Sequence, residues 1–320
     1  MFSKELSQGG KTLLLTMLNQ PVLRRDRLKT GIGLGAVAFS VIALVMTYYH
    51  KAILLYGDTI SHLEIARRTD SMLATSPINA PGQLGAVWLP LPHLLMMPFA
   101  WNNTLYQDGL AGSIISMIAF VLTVVLIYGI GLQLTGQRLA GLVAAAVFGL
   151  NANMLYMQTT PMTESLLFCL LAAMVYFVLK WADTDRSRYL VIAGGSALLA
   201  TLTRYESWTI LACMAVALTC IAWTKDQNLP RKLHLRRVID RVLLAGFIGL
   251  SGIIFWLAWN WIFLGNPLYF QDGLYAKPAL WLSNHEPAIG HLGVAFKTYW
   301  LTNRPIFDNL HVRFFFGLSD

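Results

Sequence analysis

The sequence predicts an all-α fold: a polytopic bundle of about seven transmembrane helices with a long first outer loop that carries interfacial helices. Three observations carry that reading. Of the 320 residues, 56% are hydrophobic, and the mean hydropathy is +0.55. Charged residues make up only 12%, about half the ~25% of a soluble domain, so the charged surface a water-soluble fold of this size needs is missing. Apolar runs close to the ~20 residues that cross a bilayer recur along the chain.

In order, residues 1–30 form a basic leader and residues 31–264 a transmembrane domain that includes the outer loop 51–109. Residues 265–320 form an outer-face tail that a longer protein could continue. Seven spans are expected, near 31–50, 110–134, 139–157, 163–181, 189–203, 207–224 and 242–264. The leader does not read as a cleavable signal, because the first span starts only near Gly31 and no small-residue cleavage site follows it. The fifth span is short and carries Gly194-Gly195, small residues that allow close helix packing. Cys169, Cys213 and Cys220 fall inside apolar runs and read as buried thiols without a disulfide role.

The net charge of +8 does not point to nucleic acid, since the basic residues sit in short clusters between apolar runs. Sixteen of the 24 Lys and Arg residues fall on the leader's side of the expected spans and eight on the other side. By the positive-inside rule the N-terminus is cytoplasmic, and segments 51–109, 158–162, 204–206 and 265–320 lie outside. The expected setting is the plasma (inner) membrane, with membrane lipids as partners. Within the first outer loop, residues 59–73 suit a helix with Ile60, Leu63, Ala66 and Leu73 on one apolar face. A break at Pro77 and Pro81-Gly82 follows, and prolines forbid a regular helix before Leu91. Trp88 and Trp101 would tie this loop to the interface, and 289–302 could form another interfacial helix.

The ionisable residues next to the spans stand out, because charge near a bilayer core needs a reason. Asp58 follows the first span, Glu164 opens the fourth, and Arg204 and Glu206 occupy the turn between the fifth and sixth. An orientation chosen on Lys and Arg alone places all four on the outer face. Each also has a plain structural reading: helix cap for Asp58, helix start for Glu164, loop ion pair for Arg204 and Glu206. His62 lies four residues after Asp58, so the two share a helix face and could share a metal or a proton. An outward-pointing interfacial histidine is the simpler reading, and His93 is a lone histidine in an apolar stretch. Arg67 and Arg68 follow Glu64 at helical spacing, either as a solvated pair or as a phosphate clamp. No Walker A loop, GxGxxG, GxSxG, HExxH or paired CxxC is present, so an ATP-driven pump is not expected.

The order of these features resembles the polytopic glycosyltransferases of the GT-C fold, especially the protein-mannosyltransferase-like group (glycosyltransferase family 39-like). The likeness rests on Tyr56-Gly57-Asp58 after the first span, the long first outer loop, and Thr160-Pro161-Met162-Thr163-Glu164. It also rests on Leu202-Thr203-Arg204-Tyr205-Glu206 and Gly265-Asn266-Pro267-Leu268-Tyr269-Phe270. It spans roughly residues 30–275. It implies a lipid-linked sugar donor on a polyprenyl phosphate, and transfer on the extracytoplasmic face to a glycan, lipid or protein acceptor. Asp58 would be the general base and Glu164 the second catalytic acidic residue. Arg204, Arg67, Arg68 and Lys277 would be candidates for the donor phosphate, and Glu206, His62 and His93 further site residues. No cofactor is required; a divalent metal held by Asp58, Glu164 and the histidines is an open alternative, since relatives differ on this point. The family pairs Asp with Glu, whereas Thr59 follows Asp58 here, which bears on the acceptor. The competing reading is a transporter or flippase of lipid-linked intermediates, which would want charges along a path across the bilayer. A non-catalytic scaffold is the third.

Overall fold

The computed structural model describes residues 27–75, 84, 87–273 and 291–294. The chain forms two units, Met1–Tyr269 and Phe270–Asp320, and the architecture below is that of the first. Lys277 lies outside the described residues, as do the Pro77 and Pro81-Gly82 break, most of the basic leader and most of the expected helix 289–302.

Every element among the described residues is helical. Helix α1 is Arg27–Tyr49; the long loop that follows carries α2 (Gly57–Thr75), α3 (Leu91–Ala100) and α4 (Asn103–Gln107). The remainder is α5 (Leu110–Thr135), α6 (Arg138–Gly149), α7 (Ala152–Met157), α8 (Glu164–Thr184), α9 (Ser187–Thr201), α10 (Glu206–Thr224) and α11 (Arg231–Leu264). Five of these, α1, α5, α8, α10 and α11, are long and apolar enough to cross a membrane. Helix ends follow local chemistry. Gly136 and Gly265 adopt the left-handed backbone conformation that glycine takes without steric cost. Their N–H groups close α5 and α11 by donating to the Leu132 and Trp261 carbonyls.

The third expected span is corrected. Residues 139–157 are not one helix, because Asn151 stops the chain after α6 and caps α7 by accepting from the Asn153 and Met154 N–H groups. Helix α6 has 12 residues. At ~1.5 Å per residue it reaches roughly 18 Å, short of the ~30 Å hydrocarbon core. The fifth expected span, α9, has 15 residues, short as expected. The prolines act as expected too, and α3 begins at Leu91.

The largest core lies where α8, α9, α10 and α11 meet, around fully buried Trp181, Leu190, Leu218 and Ala245. Close approach between α9 and α11 depends on small residues. A Cβ at Gly194 would meet the Ala245 carbonyl at 2.8 Å, whereas Gly195 faces open space and is not part of the contact. A second core joins α1, α5 and α6 around Phe120 and Tyr128. The long loop after α1 has its own small core of Leu63, Ala66, Met96 and Ala100, closed by Ala111 of α5. Ile60 does not join it and is 54% exposed. The buried face of α2 is the one that Leu63 and Ala66 share. Of the cysteines only Cys169 is buried; Cys213 and Cys220 lie on the exposed face of α10, and all three are free thiols.

Candidate active site

Two irregular segments and one stretch of the long loop after α1 build a single cavity at one end of the bundle. The first is the turn between α9 and α10. The Leu91 N–H donates to the Leu202 carbonyl at 3.0 Å, and the Tyr205 hydroxyl donates to the Val87 carbonyl at 2.7 Å. Trp256 Nε1 in turn donates to the Tyr205 hydroxyl at 3.0 Å. These bonds fasten residues 87–91 of the loop to the turn and to α11. The second segment, residues 158–163, is fully buried yet not helical. Backbone in such a position must find partners inside the protein. Ser113 Oγ donates to the Thr159 carbonyl and Ser116 Oγ to the Met162 carbonyl, at 2.6 and 3.0 Å. The Gln158 amide pairs with Ser40 of α1, and Tyr156 Oη donates to the Ala52 carbonyl a few residues before Asp58.

The cavity these parts enclose has a volume of about 300 Å³. Asp58, His62 and Trp88 of the long loop form one wall, and Glu164 at the head of α8 with Arg204 and Glu206 of the turn form another. Five of the residues singled out in the sequence, Asp58, His62, Glu164, Arg204 and Glu206, therefore meet although 148 positions separate the first from the last. Arg204 is the hub. Its Nη1 donates to Glu164 Oε1 at 2.7 Å and Thr163 Oγ1 at 3.1 Å, and its Nη2 to Glu206 Oε1 at 2.8 Å. Burial works against its charge, but Glu206, Glu164 and Asp58 outweigh that and hold the guanidinium above its usual pKa.

The carboxylates differ in what remains free. Glu164 places one oxygen on Arg204, while its Oε2 is buried with no hydrogen-bond partner. Asp58 is exposed, accepts no hydrogen bond and forms no ion pair among the described residues. The helix-cap reading of Asp58 is therefore not realised, and its carboxylate is available to a ligand. Around the cavity three carboxylates face one cation.

The histidines are corrected. His62 does not point outward; it is 4% exposed and packs on Trp88 with ring centroids 4.5 Å apart. Its Nδ1 lies 2.9 Å from Nε2 of His93, which is buried behind the cavity wall. Burial, with Arg204 second, lowers the His62 pKa to about 4, and burial pushes His93 well below its ordinary value.

Other sequence candidates lie elsewhere. Arg67 bonds Asn103 and sits over the Tyr106 ring. Arg68 pairs with Glu64 at 2.7 Å, in the expected i,i+4 geometry. Neither lines this cavity. Among the described residues no three His, Cys, Asp or Glu side chains converge as a metal-ligand set, so Asp58, Glu164 and the histidines as placed do not make one. Trp88 lines the cavity, whereas Trp101 is 61% exposed. Sequence reasoning missed the Tyr205 anchor and the Ser40–Gln158 lock; the run Gln158-Thr159-Thr160 amid apolar residues was the available signal.

No curated protein and no solved structure matches the chain. A family model does: that of dolichyl-phosphate-mannose-protein mannosyltransferase, over residues 104–259. The matched stretch contains Glu164, Arg204 and Glu206 and ends before the second unit, while Asp58, His62 and His93 precede it. Over that segment, just under half of its length, the chain is similar to membrane glycosyltransferases of the mannosyltransferase type, and its apolar helices suit a membrane protein.

Proposed function

We propose that the protein transfers a sugar from a polyprenyl-phosphate-linked donor to a hydroxyl acceptor, on the extracytoplasmic face of the membrane. The observation that carries the proposal is the meeting of Asp58, Glu164, Arg204 and Glu206 around one cavity next to apolar, span-length helices. A lipid-linked sugar keeps its tail in the bilayer and its head at the boundary, which is where such a cavity would be useful. The outer-face assignment rests on the Lys and Arg distribution.

In this reading the free carboxylate of Asp58 takes the proton from the acceptor hydroxyl. The acceptor oxygen forms its bond to the anomeric carbon as the bond from that carbon to the phosphate oxygen breaks. The lipid phosphate leaves with the electron pair, and the anomeric configuration inverts. Arg204 is the cation nearest the reaction and the candidate for the developing phosphate charge. Its guanidinium is already shared by Glu164 and Glu206, which fix its direction and offset its charge. Glu164 thus acts first as the residue that holds Arg204. Arg67, Arg68 and Lys277 remain candidates for contacts with the donor phosphate outside this cavity.

The test is Asp58→Asn in full-length protein in lipid nanodiscs, assayed with a panel of polyprenyl-phosphate hexoses. The variant should insert and fold normally, and transfer should fall by about 10²–10⁴-fold, the usual contribution of a general base. Transfer at the wild-type rate would remove Asp58 from the mechanism.

A further inference from the structure

The His62–His93 pair is not used by the chemistry above, yet it is among the most buried polar features of the loop. Two imidazoles with ring nitrogens 2.9 Å apart must share one proton on that line, with one ring donating and the other accepting. Both rings are neutral at ordinary pH, because burial opposes charge on each and Arg204 adds to that at His62. A neutral imidazole carries a single N–H, so the partner of one nitrogen decides the state of the other. His93 Nδ1 is buried with no hydrogen-bond partner; since Nε2 is turned to His62, the Leu89 backbone, which favours a proton on this ring, is taken to act at Nδ1. With the His93 proton on Nδ1, its Nε2 is a lone pair. His62 must then donate from Nδ1, which leaves His62 Nε2 without a proton. Since Nδ1 is turned to His93 behind the wall, Nε2 is the nitrogen left to the cavity that His62 lines.

We infer that His62, oriented by His93, is a hydrogen-bond acceptor for a hydroxyl of the sugar-bearing ligand, and that it sets which ring hydroxyls the cavity accepts. This rests on the transferase reading. A second observation agrees: Glu164 Oε2, the free oxygen of another residue lining the cavity, is also buried without a partner. Together with Asp58, the wall offers several acceptors, while its one cation, Arg204, is already engaged by carboxylates. Such a wall matches a ligand rich in hydroxyl donors. Leaving its buried acceptors unpaired disfavours an analogue that lacks the hydroxyl. Trp88 packed on His62 holds the ring at a fixed angle, so the acceptor points in one direction. His62 is the contact, and His93 is a positioning residue that acts through it.

The experiment measures equilibrium binding of a radiolabelled short-chain polyprenyl-phosphate hexose, and of its monodeoxy analogues, to full-length protein in nanodiscs without acceptor. His62→Leu should weaken the parent sugar by about five- to tenfold, as expected for one hydrogen bond, and should abolish discrimination against one particular deoxy analogue. His62→Gln, whose Oε1 can take the place of Nε2, should keep that discrimination, whereas His62→Asn should not. His93→Leu should mimic His62→Leu, His93→Gln should restore binding, and the double Leu variant should be no worse than either single one. If donor binding is unchanged but the acceptor KM rises in His62→Leu, the hydroxyl belongs to the acceptor and the proposal is overturned. If neither changes, the proposal is overturned. Nitrogen NMR of histidine-labelled protein gives a ligand-free check: His62 should carry its proton on Nδ1, and a proton on Nε2 would overturn the proposal. Loss of the effect in the histidine variants alone sinks this inference. Failure of wild-type protein to bind or transfer any lipid-phosphate hexose sinks the transferase reading itself.

Discussion

The molecule has two clusters of arginine with carboxylates, at opposite ends of the same helices, and they are built differently. At the far end Arg241 bonds Asp185 at 3.0 Å and reaches Asp226 at 2.9 Å, and Arg237 reaches Asp226 at 3.2 Å. The Arg241 and Lys225 cations lie over the Trp181 ring. Asp185 and Asp226 both adopt positive φ, a conformation Asp tolerates better than most residues. This cluster joins the α8–α9 connection, the α10–α11 connection and α11 into one block, with cations outnumbering carboxylates. At the cavity end the ratio is reversed, one arginine stands among three carboxylates, and acceptor atoms are left over. Charge near a membrane is therefore not by itself a sign of function. A cluster whose cations outnumber its carboxylates and that joins loops is a fastening, whereas a cluster rich in carboxylates around an open volume is arranged for something else to arrive.

Arg204→Ala separates the two ends most directly. It should lower transfer by roughly 10²-fold, the scale of losing one aimed donor, with Arg204→Lys recovering part of the rate. The measurement is initial rate per folded molecule, with folded protein counted by size exclusion. A variant that loses stability but transfers normally would make the two clusters the same kind of object. Arg241→Ala should do the opposite. Its side chain is largely covered and bonds both aspartates. Losing those charged bonds should reduce stability by about 2 kcal/mol, with transfer per folded molecule unchanged. Thermal unfolding in detergent reads this out.

The histidines give the cavity end a pH signature. Their folded pKa values are depressed, His62 to about 4, below the 6.5 of an unfolded histidine. Their contribution to stability is therefore complete above about pH 6.5 and lost as pH falls toward about 4, because the unfolded chain takes up protons first. A His62→Gln, His93→Gln protein should show a flatter fall in unfolding midpoint across that window, and an identical slope would mean the pair titrates normally. The smallest effect should come from Arg68→Ala, which breaks an exposed pair with Glu64. Such a pair contributes no more than ~1 kcal/mol, and transfer should change by less than about twofold unless the donor phosphate reaches it.

Much of this was legible in the residues, and the misses have physical causes. Long apolar helices announce themselves because a bilayer demands length and hydropathy together, so α1, α5, α8, α10 and α11 stand near their expected positions. The break at Asn151 did not, since one polar residue inside an apolar run leaves the average hydropathy nearly untouched. Asp58, Glu164, Arg204 and Glu206 were visible because charge beside a span is conspicuous. The pairing of His62 with His93 was not: 31 residues and a run of apolar neighbours separate them, and only folding of the loop brings Trp88 over the first ring. The burial of α2 through Leu63 and Ala66 without Ile60 is of the same kind, since tertiary packing chose one stripe from a helix that offered two.

The shortness of α6 bears on how the protein is made. A short apolar helix followed by a buried, serine-tethered segment is a poor candidate for independent insertion from the translocation machinery. The buried segment acquires its partners from α1 and α5, which are synthesised earlier. Those two helices must already be in place to receive residues 138–163, so biogenesis is expected to proceed by delayed, assisted entry of that stretch and not helix by helix.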